Sequence, residues 1–406
     1  MTATVPPADV DGSGPGTDSA RRLVATLTLT VFLQWTGASS IVPMLPVYIR
    51  HLGGSDALAG VVMASFFAAG VVSQYPMGRL ADRVGRRPVL LTGLVTYGVA
   101  SVAFLAPVGP TATIAFRSLQ GVGAGAVAVA ALAIVSGSVP IARRGRAFAS
   151  IYGGQLAGMA IGPLVGSVAG VRLMGVMFLA SGLLSAGACL PATRIRPVDR
   201  GGPAERSPAG GAVPLGRLRV SRPMTGALIC GSALGLASGV YDICWTLLLL
   251  SRGASDLEIG ISWTLFALPF VVAAKPGGWL ADHADRRIST LAGLGVSTAL
   301  CATYAFVPSV PALIALGAAE ALGFAAAMPA LQSLLTQGAR ADEVGRIQGI
   351  FATAQTACTA VAAAAAGAVF AVASWLPFVT VATISAAGLV TAGVIWRRVP
   401  GLRSTG

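Results

Sequence analysis

The stretch Gly78-Arg79-Leu80-Ala81-Asp82-Arg83-Val84-Gly85-Arg86-Arg87-Pro88 lies between two long apolar runs. This placement predicts a short, charged loop at a membrane surface. Gly78 and Asp82 are four residues apart and share a helix face, where the glycine would let another helix come close. We expect the Asp82 carboxylate to cap a neighbouring helix or to pair with Arg83.

Three further residues determine the turn in this loop and the side of the membrane on which it lies. Gly85 permits a tight turn, and Arg86 and Arg87 would hold the loop on the cytoplasmic side. The segment recurs 200 positions later, with six of its first ten residues retained and Asp282 in place of Asp82, as Gly278-Trp279-Leu280-Ala281-Asp282-His283-Ala284-Asp285-Arg286-Arg287. This recurrence argues against an ordinary positively charged loop.

The composition is that of a protein that crosses a membrane many times. Of the 406 residues, 55% are hydrophobic and 11% are charged, which excludes an ordinary soluble domain. The net charge of +13 could indicate nucleic-acid binding, but most of the 28 Lys and Arg residues fall in alternate loops and the tails. This distribution follows the positive-inside rule, with both termini cytoplasmic, and predicts contact with anionic lipid headgroups rather than nucleic acid.

Cysteine and histidine provide little for catalysis or metal binding. The five cysteines lie in apolar runs without metal-ligand spacing, and we expect buried free thiols: Cys189, Cys230, Cys244, Cys301 and Cys358. The two histidines, His51 and His283, lie in predicted loops. We therefore expect no enzyme activity, no metal and no cofactor.

Twelve apolar stretches are long enough to cross about 30 Å of hydrocarbon, and their Gly and Ala spacing favours helices. The predicted spans are 22–47, 57–77, 88–106, 111–137, 147–168, 172–190, 224–250, 258–279, 288–306, 311–336, 346–371 and 375–396. Residues 1–21 predict a disordered cytoplasmic tail. Residues 191–223, rich in Arg, Gly and Pro, predict a cytoplasmic linker between halves at 22–190 and 224–396, and 397–406 a cytoplasmic tail.

The two halves are related without gaps at a shift of 200 positions. Gln120 matches Glu320, Gly123 matches Gly323, and Gln155 matches Gln355. A regular parallel repeat of this kind is difficult to obtain from apolar composition alone.

The loop motif resembles the signature between the second and third helices of major facilitator superfamily transporters, and the resemblance covers nearly all of residues 22–396. It implies an all-α membrane protein of 12 transmembrane helices, with two six-helix bundles related by a pseudo-twofold axis. The motif identifies the superfamily and not the substrate.

The fifth span carries glycines four residues apart together with a proline: Gly158, Gly162, Pro163 and Gly166. Such glycines form a smooth face on which another helix can pack closely and slide, and the proline would kink the helix. The segment resembles the fifth-helix signature associated with antiporters of this superfamily. Plain helix packing is the alternative interpretation.

Three ionisable residues lie well inside the spans: Arg117, Asp242 and Glu320. Burying one such charge costs roughly 2.5–3.5 kcal/mol unless it is paired, protonated or hydrated. The segment around Arg117 resembles the family's fourth-helix motif, which implies a part in proton coupling, and bonding to neighbouring carbonyls is the alternative. Asp242 and Glu320 are candidate proton carriers, with a structural or cavity-wall role as the alternative. Many drug:proton antiporters carry an acid in the first helix, and this chain has none there.

Polar and aromatic side chains within apolar runs are candidates for a substrate cavity: Gln34, Trp35, Gln120, Gln155, Tyr241, Trp245, Trp263 and Gln355. An aromatic box with few polar anchors suits flat, amphipathic or cationic ligands. Packing and interfacial anchoring are the alternatives for these residues.

The resemblance to twelve-helix drug:proton antiporters, including the first-helix segment Gly37–Pro46, implies multidrug efflux from the cell membrane, hence antibiotic resistance, by alternating access. We expect a small-molecule substrate, protons as the coupling ion, a lipid bilayer and a monomer. One alternative is a facilitator, or an exporter or importer of a metabolite such as a sugar, without proton coupling. Another is a membrane sensor or scaffold that does not transport.

Overall fold

The computed structural model describes residues 15–106, 109–139, 141–195, 220–272, 284–340 and 343–397. Within these ranges the chain forms α-helices, three short 3₁₀ segments and no strand. The helices are α1 Pro15–Ile41, α2 Leu45–His51, α3 Asp56–Val84, α4 Arg86–Ala103, α5 Thr113–Ser138, α6 Ile141–Ala169, α7 Met174–Thr193, α8 Arg222–Ser251, α9 Asp256–Val272, α10 Arg286–Thr303, α11 Val310–Leu335, α12 Val344–Val372 and α13 Leu376–Arg397.

The all-α prediction is confirmed, and each predicted span overlaps a described helix; residues 273–279 of the eighth span lie outside the described part. Nine helices of the described ranges are long and apolar enough to cross a membrane. The first span differs from its prediction because it divides into α1 and α2 around Val42–Met44. Pro43 lies within this break and Pro46 lies in the first turn of α2, and proline cannot supply the N–H that would continue a helix.

Two expectations from the sequence need correction. Helix α1 begins at Pro15, so a disordered tail through residue 21 is wrong for residues 15–21; proline is suited to the first position of a helix, which favours this earlier start. All five cysteines are free, but Cys189 and Cys358 are half-buried rather than buried. Residues 1–14, 196–219 and 398–406, which hold most of the predicted tails and linker, lie outside the described part.

Short polar signals fix the helix boundaries at equivalent places in the two halves. Ser55 caps α3 by accepting a hydrogen bond from Leu58 N at 3.2 Å. Ser255 caps α9 in the same way, and Glu258 accepts a bond from Ser255 N in return at 2.8 Å. This reciprocal pair is a capping box, which satisfies two N–H donors that a helix start leaves open.

The helices form two groups, α1–α7 and α8–α13, which meet at α3 against α12 and at α6 against α9. Four glycines lie at these meetings, and all are near the loops at 52–55, 170–173, 252–255 and 373–375: Gly60, Gly170, Gly260 and Gly367. We call this end of the molecule the closed end and the end with the Gly85 turn the open end. At the open end, no hydrogen bond or ion pair joins two described residues of different groups.

The glycine face of α6 packs on α1, which confirms the close packing predicted for the fifth span. A Cβ atom built on Gly158 would lie 2.8 Å from Thr36 N, and one on Gly162 would lie 2.6 Å from Thr36 O. A Cβ on Gly166 would overlap the Ser40 carbonyl. Helix α6 continues through Pro163 to Ala169. The glycines are therefore required by backbone contact at this interface.

The equivalent interface of the second half places its glycines on the opposite helix. Here α8 supplies Gly231, Gly235 and Gly239, four residues apart, and each approaches α12. A Cβ atom on Gly239 would lie 2.8 Å from Ala363 N, and one on Gly235 would overlap the Gln355 carbonyl. The two halves thus achieve the same close approach with the small residues on different partners.

Candidate functional site

A buried carboxyl group, Glu320 on α11, is the centre of the polar groups in the second half. Its side chain is 1% exposed. The Tyr241 hydroxyl of α8 donates to Glu320 Oε1 at 2.7 Å, and the Tyr304 hydroxyl donates to Oε2 through a short hydrogen bond. Each carboxyl oxygen therefore has a donor, which is the condition under which such a group can be buried.

Aromatic rings surround this carboxyl group. Five rings line a cavity of about 30 Å³ together with Gly317 and Glu320. These rings are Tyr241, Trp245, Trp263, Phe266 and Tyr304. The Trp245 and Tyr304 rings make an edge contact with centroids 5.0 Å apart. Trp245 Nε1 donates to Ser262 Oγ at 2.9 Å. The cavity has room for a water-sized group beside a carboxyl and several ring faces.

Three of the predicted cavity residues meet here beside Glu320, which was predicted as a proton carrier, and two residues were missed. Glu320, Tyr241, Trp245 and Trp263 were predicted from the sequence, whereas Tyr304 and Phe266 were not. The repeat contains a signal for both, because a shift of 200 relates Phe104 to Tyr304 and Phe66 to Phe266. A hydroxyl gained at one of two matched aromatic positions is a reason to look for a polar partner.

The first half has its buried polar cluster at the matching position, but with a cation. Arg117 is 2% exposed, and its guanidinium donates to Gln120 Oε1 at 2.8 Å. Gln120 Nε2 in turn donates to Ser101 Oγ at 2.8 Å. The Arg117 guanidinium also lies over the Phe66 ring, 4.5 Å from its centroid, a cation–π contact that partly replaces lost hydration.

Asp242 lies one residue after Tyr241 on α8 and is half-buried. No hydrogen bond or ion pair to its carboxyl is found among the described residues. It is attracted electrostatically by Arg117, which belongs to the other group of helices. Asp242 and Arg117 thus carry opposite charges on different halves, and no hydrogen bond or ion pair between them is found among the described residues.

The remaining predicted cavity residues lie apart from the Glu320 cluster. Gln34 is 1% exposed on α1, and its Nε2 has no acceptor among the described residues. Trp35 packs against the apolar core of the first half. Gln155 on α6 and Gln355 on α12 are half-buried. The matched glutamines thus occupy equivalent positions in the two halves without joining one site.

The loop motif behaves as predicted at Gly85 and only partly so at Gly78. Gly85 has a φ of +106°, a conformation that favours glycine, and separates α3 from α4. A Cβ atom on Gly78 would lie 3.6 Å from Val129, which is ordinary contact. Another helix therefore approaches Gly78, as predicted, but the distance would also tolerate a side chain there.

The charged residues of the motif have different environments. Arg86 donates to the Ala133 carbonyl of α5 at 2.7 Å, Arg83 is exposed, and Arg87 is half-buried. Asp82 is exposed, and neither the predicted cap nor the pair with Arg83 is found among the described residues. It lies in the last turn of α3, where a helix offers carbonyls rather than N–H donors. Asp282 lies outside the described residues.

Among the described residues, no group of three or more His, Cys, Asp or Glu side chains could hold a metal ion. The chemistry that the site offers is that of two carboxyl groups and an arginine in an apolar surrounding. Such groups can bind a cation or exchange a proton. Because burial of an ionisable residue within a membrane span costs free energy, its presence there indicates a functional site.

Sequence relatives are membrane transporters. The chain is 27% identical over 355 residues to the class D tetracycline resistance protein of Salmonella ordonez, with 81% of this chain and 84% of that protein covered. It is 34% identical over 145 residues to an uncharacterised transporter of Mycobacterium tuberculosis. That match covers 35% of this chain and only 21% of the length of the relative.

Solved structures of low identity have the same fold. A bacterial homologue of the human lysosomal transporter Spinster, in an inward-facing and occupied conformation, has a TM-score of 0.74 at 14% identity, over 95% of this chain and 98% of that one. A D-xylose–proton symporter has a TM-score of 0.73 at 16% identity, over 94% and 98%.

The Major Facilitator Superfamily model matches residues 27–250 and 227–405, which together include nearly every described helix. This agrees with two groups of helices that carry matched polar clusters at Gln120 and Glu320. The chain, with its multiple membrane-spanning helices, belongs to the Major Facilitator Superfamily, a family of membrane transporters rather than enzymes.

Proposed function

We propose that the protein exports small amphipathic compounds, drugs among them, in exchange for protons. The observation that carries this proposal is the half-buried Asp242, which has no hydrogen-bond partner among the described residues and lies within electrostatic influence of Arg117 of the other half. The tetracycline resistance relatives support drug efflux. The cell membrane, with both termini in the cytoplasm, is the location that the basic loops favour.

In this proposal, Asp242 carries the proton. A carrier must be reached from both sides of the membrane in turn, and a carboxyl between the halves meets this requirement better than one enclosed by two tyrosines. A deprotonated Asp242 attracts Arg117, whereas a protonated one does not. Proton binding would therefore change the attraction between the two halves, which is the step that alternating access needs.

Glu320 and its aromatic neighbours would bind the exported compound. Ring faces next to one carboxyl favour a flat molecule with an apolar body and a positive or hydrogen-bonding group. The cavity at Glu320 is small in this conformer, so we propose that Trp263 and Phe266 on α9 move aside on binding. Glu320 is the second candidate for the proton carrier.

The energy of one proton is adequate for export. One charge that moves through 100 mV provides about 2.3 kcal/mol. At about 1.4 kcal/mol per tenfold change, this supports a gradient of roughly 40-fold.

The test uses inside-out vesicles that contain a pH-sensitive dye and the full-length protein. Lipophilic cations, neutral antibiotics and sugars are added to vesicles with wild type, Asp242→Asn, Glu320→Gln or the control Glu258→Gln. In the control, glutamine can still accept the capping-box bond of α9. We expect proton release with one class of compound, lost in Asp242→Asn and retained in Glu258→Gln.

Other outcomes separate the alternatives. Loss of proton release only in Glu320→Gln would transfer the carrier role to Glu320. Radiolabelled substrate that equilibrates without proton movement would replace antiport with a facilitator. Absence of both proton and substrate movement, with a phenotype that survives Asp82→Asn, would favour a sensor or scaffold.

A further inference from the structure

A long groove runs along the outer surface of the second half, between α10 and α13. Its volume is about 880 Å³, which is in the range of pockets that hold whole organic ligands. On α10, its walls extend from Asp285 to Ala302, a length of about 25 Å at 1.5 Å per residue. The groove therefore follows the helices through most of the hydrocarbon thickness. Neither α10 nor α13 belongs to the meetings between the two halves.

The first half shows why the second half has this groove. Between α4 and α7, a Cβ atom on Gly98 would lie 3.3 Å from Gly182 O, so these helices touch through their backbones. Ser185 of α7 also donates to the Leu94 carbonyl of α4 at 2.8 Å. At a shift of 200, Thr298 and Ala382 replace the two glycines. Both replacements line the groove, and their Cβ atoms prevent an equally close approach of α10 and α13.

A missing side chain deepens the groove in its middle. Gly295 lines it where the first half has Val95, and a Cβ atom on Gly295 would meet nothing within 4 Å. The hydroxyls of Thr298 and Thr383 bond to carbonyls of their own helices, at 2.8 Å each. These hydroxyls therefore need no partner in the groove, and the other residues that line its middle are apolar.

The charged groups lie at one end of the groove, which is the open end of the molecule. Arg287 and Arg397 line it together with Asp285. Asp285 pairs with Arg287 at 2.8 Å, and Arg287 also donates to the Trp396 carbonyl of α13 at 2.9 Å. Arg397 is exposed. After the internal pair is subtracted, the groove end keeps one positive charge, next to a long apolar channel.

We propose that this groove binds one anionic phospholipid of the surrounding bilayer, with its phosphate at Arg397 and an acyl chain along Gly295. The occupant must be apolar over most of its length and negative at one end, with that end at the membrane surface. An anionic phospholipid has these properties, and basic pockets between membrane helices are a known mode of headgroup binding. A zwitterionic lipid would fill the apolar part without the same gain at Arg397.

The test is native mass spectrometry of the full-length protein with added phosphatidylglycerol or phosphatidylcholine. Gly295→Phe fills the floor of the groove, where the structure has space for the ring, and Arg397→Gln removes the charge. Gly187→Phe on α7 is the matched control for the floor, because a Cβ atom there also meets nothing within 4 Å. Arg143→Gln, an exposed arginine at the start of α6, is the control for the charge.

We expect wild type to retain one phosphatidylglycerol more strongly than phosphatidylcholine. Arg397→Gln should weaken this retention about fivefold, Gly295→Phe should abolish it, and both controls should leave it unchanged. Thermal unfolding in detergent verifies that each variant is folded.

Three results would overturn the proposal. The first is equal retention in Gly295→Phe and wild type. The second is equal affinity for phosphatidylcholine, which would leave the headgroup without a role. The third is a change from dimer to monomer in Gly295→Phe, which would assign the groove to a second copy of the chain.

Discussion

The substitution Gly367→Ala should shift the protein away from the conformer described here. Gly367 lies on α12 at the closed end, and a Cβ atom there would overlap the carbonyl of Asp56 on α3. A backbone carbonyl cannot rotate away as a side chain can, so the two helices must separate. Because these helices belong to different halves, the strain falls on the contact between the halves rather than within one of them.

The magnitude follows from the size of the overlap. One methyl group forced into a well-packed contact costs roughly 1–3 kcal/mol. A conformer that opens at the closed end would not bear this cost, since Gly367 and Asp56 would be apart in it. The ratio of the two conformers should therefore change by roughly 5- to 150-fold in favour of the alternate one.

The assay measures the distance between spin labels at the open end of a cysteine-free background. Labels replace Tyr75 on α3 and Thr353 on α12, which are both exposed. In Gly367→Ala, the population with a short distance should increase, because the open end closes when the closed end separates.

The matched control is Gly349→Ala, which makes the same change on the same helix, where nothing lies within 4 Å. Both variants gain the same helix propensity, roughly 0.5–1 kcal/mol, so this gain cancels in the comparison. Identical distance distributions for Gly367→Ala and Gly349→Ala would refute the reasoning.

Three further changes test other contacts by the midpoint of thermal unfolding in detergent. Gly166→Ala should destabilise the protein by roughly 1–3 kcal/mol, whereas Gly153→Ala on the same helix, with nothing within 4 Å, should not. Tyr304→Phe deprives Glu320 of a donor and should cost roughly 1–3 kcal/mol; wild-type stability would contradict that bond. The hydrogen bond from Arg287 lowers the pKa of Asp285, so this carboxylate stabilises the fold above about pH 4 and ceases to do so as the pH falls through the lowered value. Asp285→Asn should therefore be less stable than wild type by under about 1 kcal/mol at neutral pH. A difference in stability that persisted at low pH would contradict the predicted direction of this pH dependence.

The helices could be predicted from the sequence because their signals are local. Apolar length, serine caps and the Gly85 turn each act within a few residues, so the predicted spans coincide with helices. The 200-residue repeat extended this reasoning to the arrangement of the helices. The break at Val42–Met44 was not predicted, because the same prolines could bend a helix or end it.

The site could be predicted only in part, because its geometry depends on contacts between distant helices. An acid in an apolar run made Glu320 a candidate, but its two donors come from α8 and from the end of α10. The sequence did not distinguish Asp242 from Glu320, because it does not show which face of a helix meets a partner. Glu320 accepts hydrogen bonds from two hydroxyls on other helices, whereas no hydrogen bond to Asp242 is found among the described residues.

The opposite placement of glycines at the α1–α6 and α8–α12 interfaces has a consequence for engineering. An exchange of α1 and α8 between the halves would set the glycines of α8 against those of α6 and leave a void along that seam. In the other half, α1 would meet α12, and neither helix would supply the glycines that this close approach requires. The halves have the same architecture, but a helix of one half cannot replace its equivalent in the other. A functional chimera must exchange each helix together with its packing partner.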